Sequence, residues 1–232
     1  MRITPIAYFR SPFVSKFGIP RQSGIIDTLE GDVVFCPPYD NADAVRGLDG
    51  FTHVWIIWGF SENLRAENEH TSSSVSLTVR PPRFGGNERI GVFASRSPYR
   101  PNGLGLSCVR LKSIFDGRLT VCGADLMDGT PIYDIKPYVP YADCMTDATG
   151  GYTDKKKWRL LDVIFPKHLQ TTLSESDVKT IIAALQQDPR PHYHSDETRI
   201  YGMPYEKKDI RFRVEGNTAE VVEVKECFGV LS

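Results

Sequence analysis

The amino-acid sequence predicts a mainly β fold with a smaller α+β region at its C-terminal end. Up to Tyr138, short runs rich in β-branched and aromatic residues are separated by turns that contain Gly or Pro. No long helical segments alternate with these runs, a pattern typical of a barrel or a sandwich. Beyond residue 140 the pattern changes to one clear helix and a closing hairpin. We therefore expect a β-rich body over residues 1–140 and an α+β region over residues 141–232.

Several short segments of the body have the composition of strands and end at turn signals such as Asp116-Gly117. A turn at Glu30-Gly31-Asp32 should separate two of them. A short helix over residues 41–48, capped by Asp40 or Asn41, and a mobile loop over residues 61–78 interrupt the series. Residues 53–60 form an unbroken apolar run, which predicts a strand buried on both faces. The predicted strands are residues 3–9, 24–29, 32–35, 53–60, 90–94, 104–114, 119–123 and 131–135.

The C-terminal region contains the clearest helix signal in the chain, over residues 175–187. Ser174 is a suitable N-cap, and Leu173 and Val178 occupy the positions of a hydrophobic staple. Apolar residues then recur at helical spacing, which predicts one buried face, and Pro189 ends the helix. A strand over residues 158–165 should precede it. A hairpin formed by residues 211–214 and 219–224, turning at 216–217, should follow.

The overall composition excludes several classes of protein. Lys and Arg total 28 against 29 for Asp and Glu, so the net charge of −1 does not fit a uniformly basic nucleic-acid-binding surface. No apolar run is long enough to span a bilayer, and no secretory signal is evident. The five cysteines are widely spaced, which argues against a disulfide framework or a zinc site and favours the cytoplasm. His192 and His194 could form half of a metal site, but no third ligand suggests itself, so we expect no metal.

An arginine-rich stretch between Arg80 and Leu106 is the densest concentration of potential binding residues. Its backbone is rich in Pro and Gly, and its aromatic residues are interleaved with five arginines. Arginine forks suit phosphates and carboxylates, and aromatic faces suit stacked bases. The alternative is a solvated face over ordinary core aromatics. The arginines are Arg80, Arg83, Arg89, Arg96 and Arg100, and the aromatic residues are Phe84, Phe93 and Tyr99.

A second stretch, residues 123–138, combines three carboxylates with a lysine around a Gly-Thr-Pro turn. If residues 131–136 form a strand, Ile132, Asp134 and Lys136 should share one face. A charged pair inside a barrel is costly unless it is paired or lines a pocket. The alternative is that Asp128 is a plain turn residue and that Asp134 and Lys136 form a surface pair.

Known nucleotide-binding and hydrolase motifs are not found. Gly103-Leu104-Gly105 lacks the third glycine of a dinucleotide fingerprint and is followed by a strand pattern rather than a helix, so we reject a Rossmann fold. The sequence also has no P-loop, no His-Glu-x-x-His and no Gly-x-Ser-x-Gly motif.

Taken together, several motifs resemble the TsaA-like (TrmO) family over nearly the whole chain. They are residues 6–13, Pro20-Arg-Gln-Ser-Gly24, residues 44–55, Arg80-Pro-Pro-Arg83, Gly91-Val-Phe-Ala-Ser-Arg96-Ser-Pro-Tyr-Arg-Pro-Asn102, residues 128–138 and Asp188-Pro-Arg-Pro-His-Tyr193. The resemblance implies a single β-barrel, a homodimer and an S-adenosylmethionine-dependent tRNA methyltransferase. The implied substrate is the exocyclic nitrogen of threonylcarbamoyl-adenosine, just 3′ of the anticodon in threonine tRNA. The implied cofactor-binding residues are Gln22, Ser23, Gly24, Ser61, Glu62, Arg96, Leu106, Cys122, Gly123, Ala124 and Asp125.

Roles for other residues follow as hypotheses. Asp134 is our candidate for the acceptor of the proton that the substrate nitrogen loses, and Asn102 for a residue that orients the substrate. Two rival functions remain open at this point: a non-catalytic β-barrel RNA-binding module, and a hydrolase that uses the Asp128/Asp134 carboxylates. The tRNA should meet a local basic patch, whose best candidates are Arg80, Arg83, Arg89 and Arg100.

Overall fold

Six strands of the N-terminal half close into a barrel, in the order β1-β2-β7-β6-β3-β8, with β8 pairing back onto β1. This is the mainly β architecture that the sequence predicts. The computed structural model describes residues 3–60, 77–81, 88–155, 159–191 and 196–227. The barrel strands are β1 (Ala7–Arg10), β2 (Glu30–Phe35), β3 (His53–Gly59), β6 (Leu104–Phe115), β7 (Arg118–Cys122) and β8 (Pro131–Pro137). A separate pair consists of β4 (Thr78–Val79) and β5 (Ile90–Gly91).

The barrel interior is filled by side chains from alternate positions of every strand. In β3, Val54, Ile56 and Trp58 are buried inside, while the intervening residues are half-buried on the outer face. The expectation that this strand is buried on both faces was therefore wrong. A closed barrel packs only its inner face, and an apolar outer face can still meet solvent.

A β-bulge at Tyr133 changes which residues of β8 share a face. Ile135 pairs with Ile56 and Ile132 with Trp58, so two residues of β8 lie where a regular strand would have one. Ile132 is completely buried, whereas Asp134 and Lys136 are exposed to solvent on the outer wall. The prediction that Ile132, Asp134 and Lys136 share one face was wrong for Ile132, because a sequence pattern of period two does not reveal a bulge.

Several predicted boundaries also need correction. Residues 24–29 are not a strand: Ile26 and Leu29 are buried by packing rather than by strand pairing, and β2 already begins at Glu30, where a turn was expected. Residues 41–48 form no single helix but separate 3₁₀ turns, the first capped by the Asn41 side chain. Residues 92–94 form a 3₁₀ turn after β5. The predicted loop over 61–78 lies outside the described residues apart from its last two.

The C-terminal region contains a four-stranded sheet in the order β10-β11-β12-β9. The short helix α1 (Pro140–Asp143) precedes it, and α2 (Glu175–Gln186) packs on it. The helix signal is confirmed: Ser174 and Asp177 form a capping box. The hairpin is confirmed too, whereas the strand expected over 158–165 is limited to β9. The strands are β9 (Asp162–Ile164), β10 (Tyr201–Tyr205), β11 (Lys208–Glu215) and β12 (Thr218–Glu226). In the described ranges no helix is long and apolar enough to cross a bilayer.

The segment between β1 and β2 packs on the C-terminal region. Phe13, Ile26 and Leu29 belong to the same buried cluster as the inner faces of α2 and the C-terminal sheet. The buried Thr180 hydroxyl of α2 contacts both the carbonyl oxygen (3.2 Å) and the hydroxyl (3.0 Å) of Thr28. This segment, residues 13–29, therefore links the barrel to the C-terminal core, and we call it the bridging segment.

The Thr180 contact predicts a measurable stability effect. In Thr180→Val the side-chain shape is kept while the hydrogen bond to the bridging segment is removed, so the free energy of unfolding should fall by about 1 kcal/mol. Denaturant unfolding of this variant measures the change. The matched control is Thr171→Val at an exposed site, which should stay within about 0.5 kcal/mol of wild type. An equal decrease in both variants would contradict a special role for the Thr180–Thr28 contact.

Candidate cofactor site

Two of the segments expected to bind the cofactor meet at one end of the barrel, where the chain leaves β7. The Gly24 N–H donates to the Gly123 carbonyl oxygen at 2.8 Å, and the Gly123 N–H donates to the Leu29 carbonyl oxygen at 2.8 Å. Gly123 has φ of 79°, a left-handed conformation that glycine adopts without strain and that other residues rarely adopt. Glycine is therefore favoured where the bridging segment crosses the end of β7.

Arg96 brings a third segment to this place. It follows the 3₁₀ turn after β5, and its exposed guanidinium group donates a hydrogen bond to the Gln22 side-chain oxygen. The structure thus joins Gln22, Ser23 and Gly24 to Arg96 on one side and to Gly123 on the other. These contacts connect residues that are far apart in the sequence. We call residues 22–24, Arg96 and residues 123–125 the cofactor cluster, after the ligand that we expect there.

Asp125 is the half-buried carboxylate of this cluster. Its Oδ1 atom accepts a hydrogen bond from the Ser107 hydroxyl at 2.5 Å, and the Ser23 backbone N–H also faces it. Burial raises the pKa of Asp125, while the hydrogen bond from Ser107 and the charge of Arg96 act in the opposite direction. Several hydrogen-bond donors therefore surround the Asp125 carboxylate. Among the residues that the structure describes, none forms a close ion pair with it.

Leu106 and Cys122 flank the cluster in different ways. The pairing of β6 with β7 ends at Arg110 and Cys122, so β7 supplies no partner to residues 104–109 of β6. The Leu106 side chain is 55% exposed on the outer face there, beside Ser107.

Cys122 is buried, and burial raises the pKa of its thiol, which keeps it uncharged. Ala124 is fully buried, so its side chain serves packing. Ser61 and Glu62 lie outside the described residues.

Asp134 lies on the same outer surface as Leu106. Leu106 pairs with Ile57, and Ile57 pairs with Asp134, so the three residues form one row across β6, β3 and β8. Two interstrand spacings separate the ends of this row by roughly 10 Å. The Asp134 carboxylate accepts hydrogen bonds from the Ile135 N–H and from Lys136 Nζ, both at 2.9 Å. It is thus a paired surface carboxylate.

The candidate orienting residue, Asn102, is exposed in the turn before β6. The neighbouring Gly103 closes that turn through its N–H, which donates to the Arg100 carbonyl oxygen at 3.0 Å. Gly103 also accepts a 2.9 Å hydrogen bond from the N–H of Phe60 at the end of β3. The turn is therefore anchored to the same end of the barrel as the cofactor cluster, while the Asn102 side chain faces solvent.

The arginines expected to bind RNA have different local environments. Arg100 is half-buried and donates to the Ser95 carbonyl oxygen at 2.6 Å, so it holds the turn around Arg96. Arg89 is exposed and contacts the Thr78 hydroxyl at 3.3 Å, and Arg80 is exposed. Arg83 lies outside the described residues. Two exposed aromatic side chains accompany them, Phe93 (73% exposed) and Tyr99 (70% exposed).

The carboxylates of the hydrolase alternative are held by separate partners. Asp128 accepts from the Ser11 N–H at 3.1 Å and pairs with Arg10 at 3.5 Å. Asp134 is held by Lys136 of the same strand, β8. His192 and His194 lie outside the described residues, and within the described ranges no three potential metal-ligating side chains cluster.

One open groove lies away from the cofactor cluster. It has a volume of about 580 Å³ and runs along the outer wall of β1, β2 and β7 beside Glu206. Two of its acidic side chains accept hydrogen bonds inside the groove: Glu30 from Lys112 at 2.5 Å, and Asp32 from the Thr120 hydroxyl at 2.8 Å. Of the predicted cofactor residues that the structure describes, none lines this groove.

Sequence reasoning missed Ser107 and Trp58, which support the site from inside the barrel. Trp58 Nε1 donates to the Ser107 hydroxyl at 2.9 Å, and both residues are buried. The sequence offered one signal, a serine within the predicted strand over residues 104–114. The inward orientation of this serine and the position of Trp58 opposite Gly105 depend on the pairing of β3 with β6.

Comparison with known proteins gives consistent results. Residues 8–144 match the family model of the tRNA-methyltransferase O N-terminal domain, and residues 159–227 match that of the TrmO C-terminal domain. An Escherichia coli protein named tRNA (adenine(37)-N6)-methyltransferase is 37% identical over 228 residues, covering 93% of this chain and 94% of its own. A Pseudomonas aeruginosa protein named as a putative S-adenosylmethionine-dependent methyltransferase, RcsF, is 40% identical over 217 residues, covering 90% and 91%.

A solved structure supports the same assignment. The crystal structure of TrmO from P. aeruginosa superimposes with a TM-score of 0.78 at 33% identity, covering 97% of each chain. Family models covering both parts of the chain, full-length relatives and the shared barrel architecture all agree. The chain belongs to the TrmO family.

Proposed function

We propose that this chain transfers the methyl group of S-adenosylmethionine to N6 of adenosine 37 in tRNA, the position named for its relatives. The observation that supports this best is the convergence of residues 22–24, Arg96, Leu106 and the Gly123–Asp125 turn at one end of the barrel. These segments come from distant parts of the sequence, yet they are joined by direct hydrogen bonds.

The groups present suit the chemistry of this cofactor. S-adenosylmethionine carries two positive groups, an ammonium and a sulfonium, together with a carboxylate and an adenine ring. Asp125 offers a half-buried negative charge, and Arg96 offers a guanidinium group for a carboxylate. The exposed Leu106 side chain offers an apolar surface to the adenine ring. When bound, the cofactor supplies an electrophilic methyl group that needs no metal.

The protein's own contribution is then mainly positioning and proton transfer. The attacking nitrogen must lose a proton during or after methylation, and Asp134 is the carboxylate on the outer surface that also presents Leu106. The ion pair with Lys136 orients the Asp134 carboxylate, which in its charged form can accept that proton. Asn102, exposed in the turn before β6, is proposed to orient the substrate.

The finer identity of the substrate follows from the family resemblance. We expect threonylcarbamoyl-adenosine of threonine tRNA, modified in the cytoplasm. Arg80 and Arg89 are exposed, and Arg100 of the same arginine-rich stretch is half-buried. Their guanidinium groups are suited to binding phosphates. The exposed rings of Phe93 and Tyr99 suit unstacked anticodon bases.

A homodimer is part of the same proposal. The barrel alone offers little surface for an anticodon loop, so the C-terminal region of one subunit is proposed to complete the cleft of the other. Light scattering should give twice the 26.1 kDa mass of one chain. A fully active monomer would contradict this arrangement.

One assay tests the proposed reaction directly. Unmodified and threonylcarbamoylated tRNA are incubated with the protein and S-adenosylmethionine, and the nucleosides are then analysed by mass spectrometry. One added methyl group on the adenosine 3′ of the anticodon supports the proposal. Methylation at another position, or none with both substrates, contradicts it.

Arg96→Ala should weaken S-adenosylmethionine binding by about 1–3 kcal/mol, because a charge-assisted hydrogen bond is removed. Titration calorimetry measures this change. Arg118→Ala is the matched control, since Arg118 is exposed at the opposite end of β7 and should leave the affinity unchanged. Unchanged affinity in Arg96→Ala would remove Arg96 from the proposed cofactor site.

Asp134→Asn should lower turnover by at least about 100-fold at saturating tRNA and cofactor while cofactor affinity is kept, if this carboxylate accepts the proton. Lys136→Met is the informative comparison, because it removes the ion pair but leaves the acceptor in place. Its turnover should fall much less. Equal decreases in the two variants, or turnover of Asp134→Asn within a few-fold of wild type, would reduce Asp134 to an ion-pair partner.

Removing Arg80 or Arg89 should weaken tRNA binding and reduce the slope of log affinity against log salt by about one unit for each phosphate that the protein no longer binds. Filter binding at several salt concentrations measures both quantities. Arg118→Ala serves again as the control. If neither quantity changes in Arg80→Ala and Arg89→Ala, the tRNA meets another surface.

A further inference from the structure

A chain of hydrogen bonds runs from the interior of the barrel to the cofactor cluster. Trp58 Nε1 donates to Ser107 Oγ at 2.9 Å, and Ser107 Oγ donates to Asp125 Oδ1 at 2.5 Å. Trp58 is 7% exposed and Ser107 is 1% exposed, so water has little access to these hydrogen bonds. We call these three residues the relay.

When Asp125 is ionised, the chemistry of the three groups fixes the direction of the relay. An indole N–H can only donate, and a serine hydroxyl has one proton and two acceptor sites. Because Trp58 occupies an acceptor site of Ser107, the Ser107 proton is available to Asp125. An ionised carboxylate can only accept, so each group has its complementary partner.

Packing holds the first member of the relay in place. The Trp58 ring lies against Phe60, with ring centroids 4.4 Å apart, and directly over Gly105. A Cβ atom at position 105 would overlap the indole ring, so only glycine leaves the necessary space. The indole N–H is thereby aimed at Ser107 by the shape of the barrel interior.

From this geometry we infer that Trp58 and Ser107 are positioning residues, which hold the Asp125 carboxylate in its charged form and aimed at the cofactor. The inference rests on the proposed function, since it takes Asp125 to be a cofactor-binding group. It assigns a binding role to two side chains inside the barrel that do not themselves reach the cofactor.

The effect of the relay can be measured through the pKa of the Asp125 carboxyl group. Burial raises the pKa of this carboxyl group. The opposing effects are hydrogen bonds from the Ser107 hydroxyl of β6 and from the backbone N–H groups of Asp125 and of Ser23 in the bridging segment, together with the positive charge of Arg96. Protonation of Asp125 should weaken the binding of a positively charged cofactor as the pH falls. Removal of the Ser107 donor should raise the pKa of Asp125 further. As the pH falls, the variant should then lose cofactor affinity at a higher pH than wild type does.

The experiment measures two quantities in wild type, Ser107→Ala, Trp58→Phe and the double variant. The first is the pKa of the Asp125 carboxyl group, from a carbon-13 NMR titration of the cofactor-free protein. The second is the affinity for S-adenosylmethionine by calorimetry from mildly acidic to mildly alkaline pH. Ser113→Ala, at an exposed position of the same strand, is the matched control, and Asp125→Asn is the reference without the charge.

Ser107→Ala should raise both the pKa of Asp125 and the pH midpoint of cofactor binding by about one unit. Trp58→Phe keeps the aromatic packing and removes only the N–H, so it should produce a smaller shift in the same direction. In the double variant Trp58→Phe should add nothing to the effect of Ser107→Ala, because the indole acts only through the hydroxyl. Ser113→Ala should behave as wild type.

The possible failures can be told apart. Ser107→Ala could lower thermal stability but change neither the pKa of Asp125 nor the pH midpoint of cofactor binding. In that case Ser107 has only a structural role, and the inference is overturned. Trp58→Phe provides the same test should Ser107→Ala fail to fold. If Asp125→Asn binds the cofactor as tightly as wild type, the cofactor site of the proposed function is wrong, and the binding role of the relay is wrong with it. The NMR titration would then still show whether the relay sets the pKa.

Discussion

The backbone hydrogen bond between Gly24 and Gly123 is the contact on which the arrangement of the site depends. Its donor–acceptor distance of 2.8 Å fixes the bridging segment across the end of β7, and the positive φ of Gly123 at this crossing favours glycine. The same segment is buried in the C-terminal core through Phe13, Ile26 and Leu29. The C-terminal region therefore supports one side of the cofactor cluster, and the barrel supports the other. A ligand that binds here is therefore expected to stabilise both regions.

The electrostatics of the cluster follow from its place at the rim of the barrel. Asp125 is buried enough for its pKa to rise, yet donors from three segments stabilise its charge. Arg96, in contrast, remains exposed and is oriented by Gln22. Opposite charges at the two sides of one small cluster suit a ligand that carries both an acid and a cationic group. The positions of the carboxylate and the guanidinium are both set by hydrogen bonds rather than by direct pairing with each other.

Much of the fold could be predicted because the local signals agreed with the final structure. The N-cap at Ser174 and the hairpin turn at 216–217 are local features, and both are confirmed. The bulge at Tyr133 could not be predicted, since it depends on the pairing of β8 with β3. Residues 24–29 have the composition of a strand, but packing against the C-terminal core determines their conformation. The cofactor residues were inferred from family motifs, whereas the support from Trp58 and Ser107 required knowledge of which strands are neighbours.

The central claim is that the cofactor binds where the bridging segment, Arg96 and the Gly123–Asp125 turn meet. A crystal structure of the protein with S-adenosylhomocysteine, the demethylated cofactor, tests this claim most directly. The account predicts ligand density in contact with Gly24, Arg96, Leu106 and Asp125, at the end of the barrel where β7 finishes. Density in the groove beside Glu206, or elsewhere on the barrel with this cluster unchanged, would contradict it.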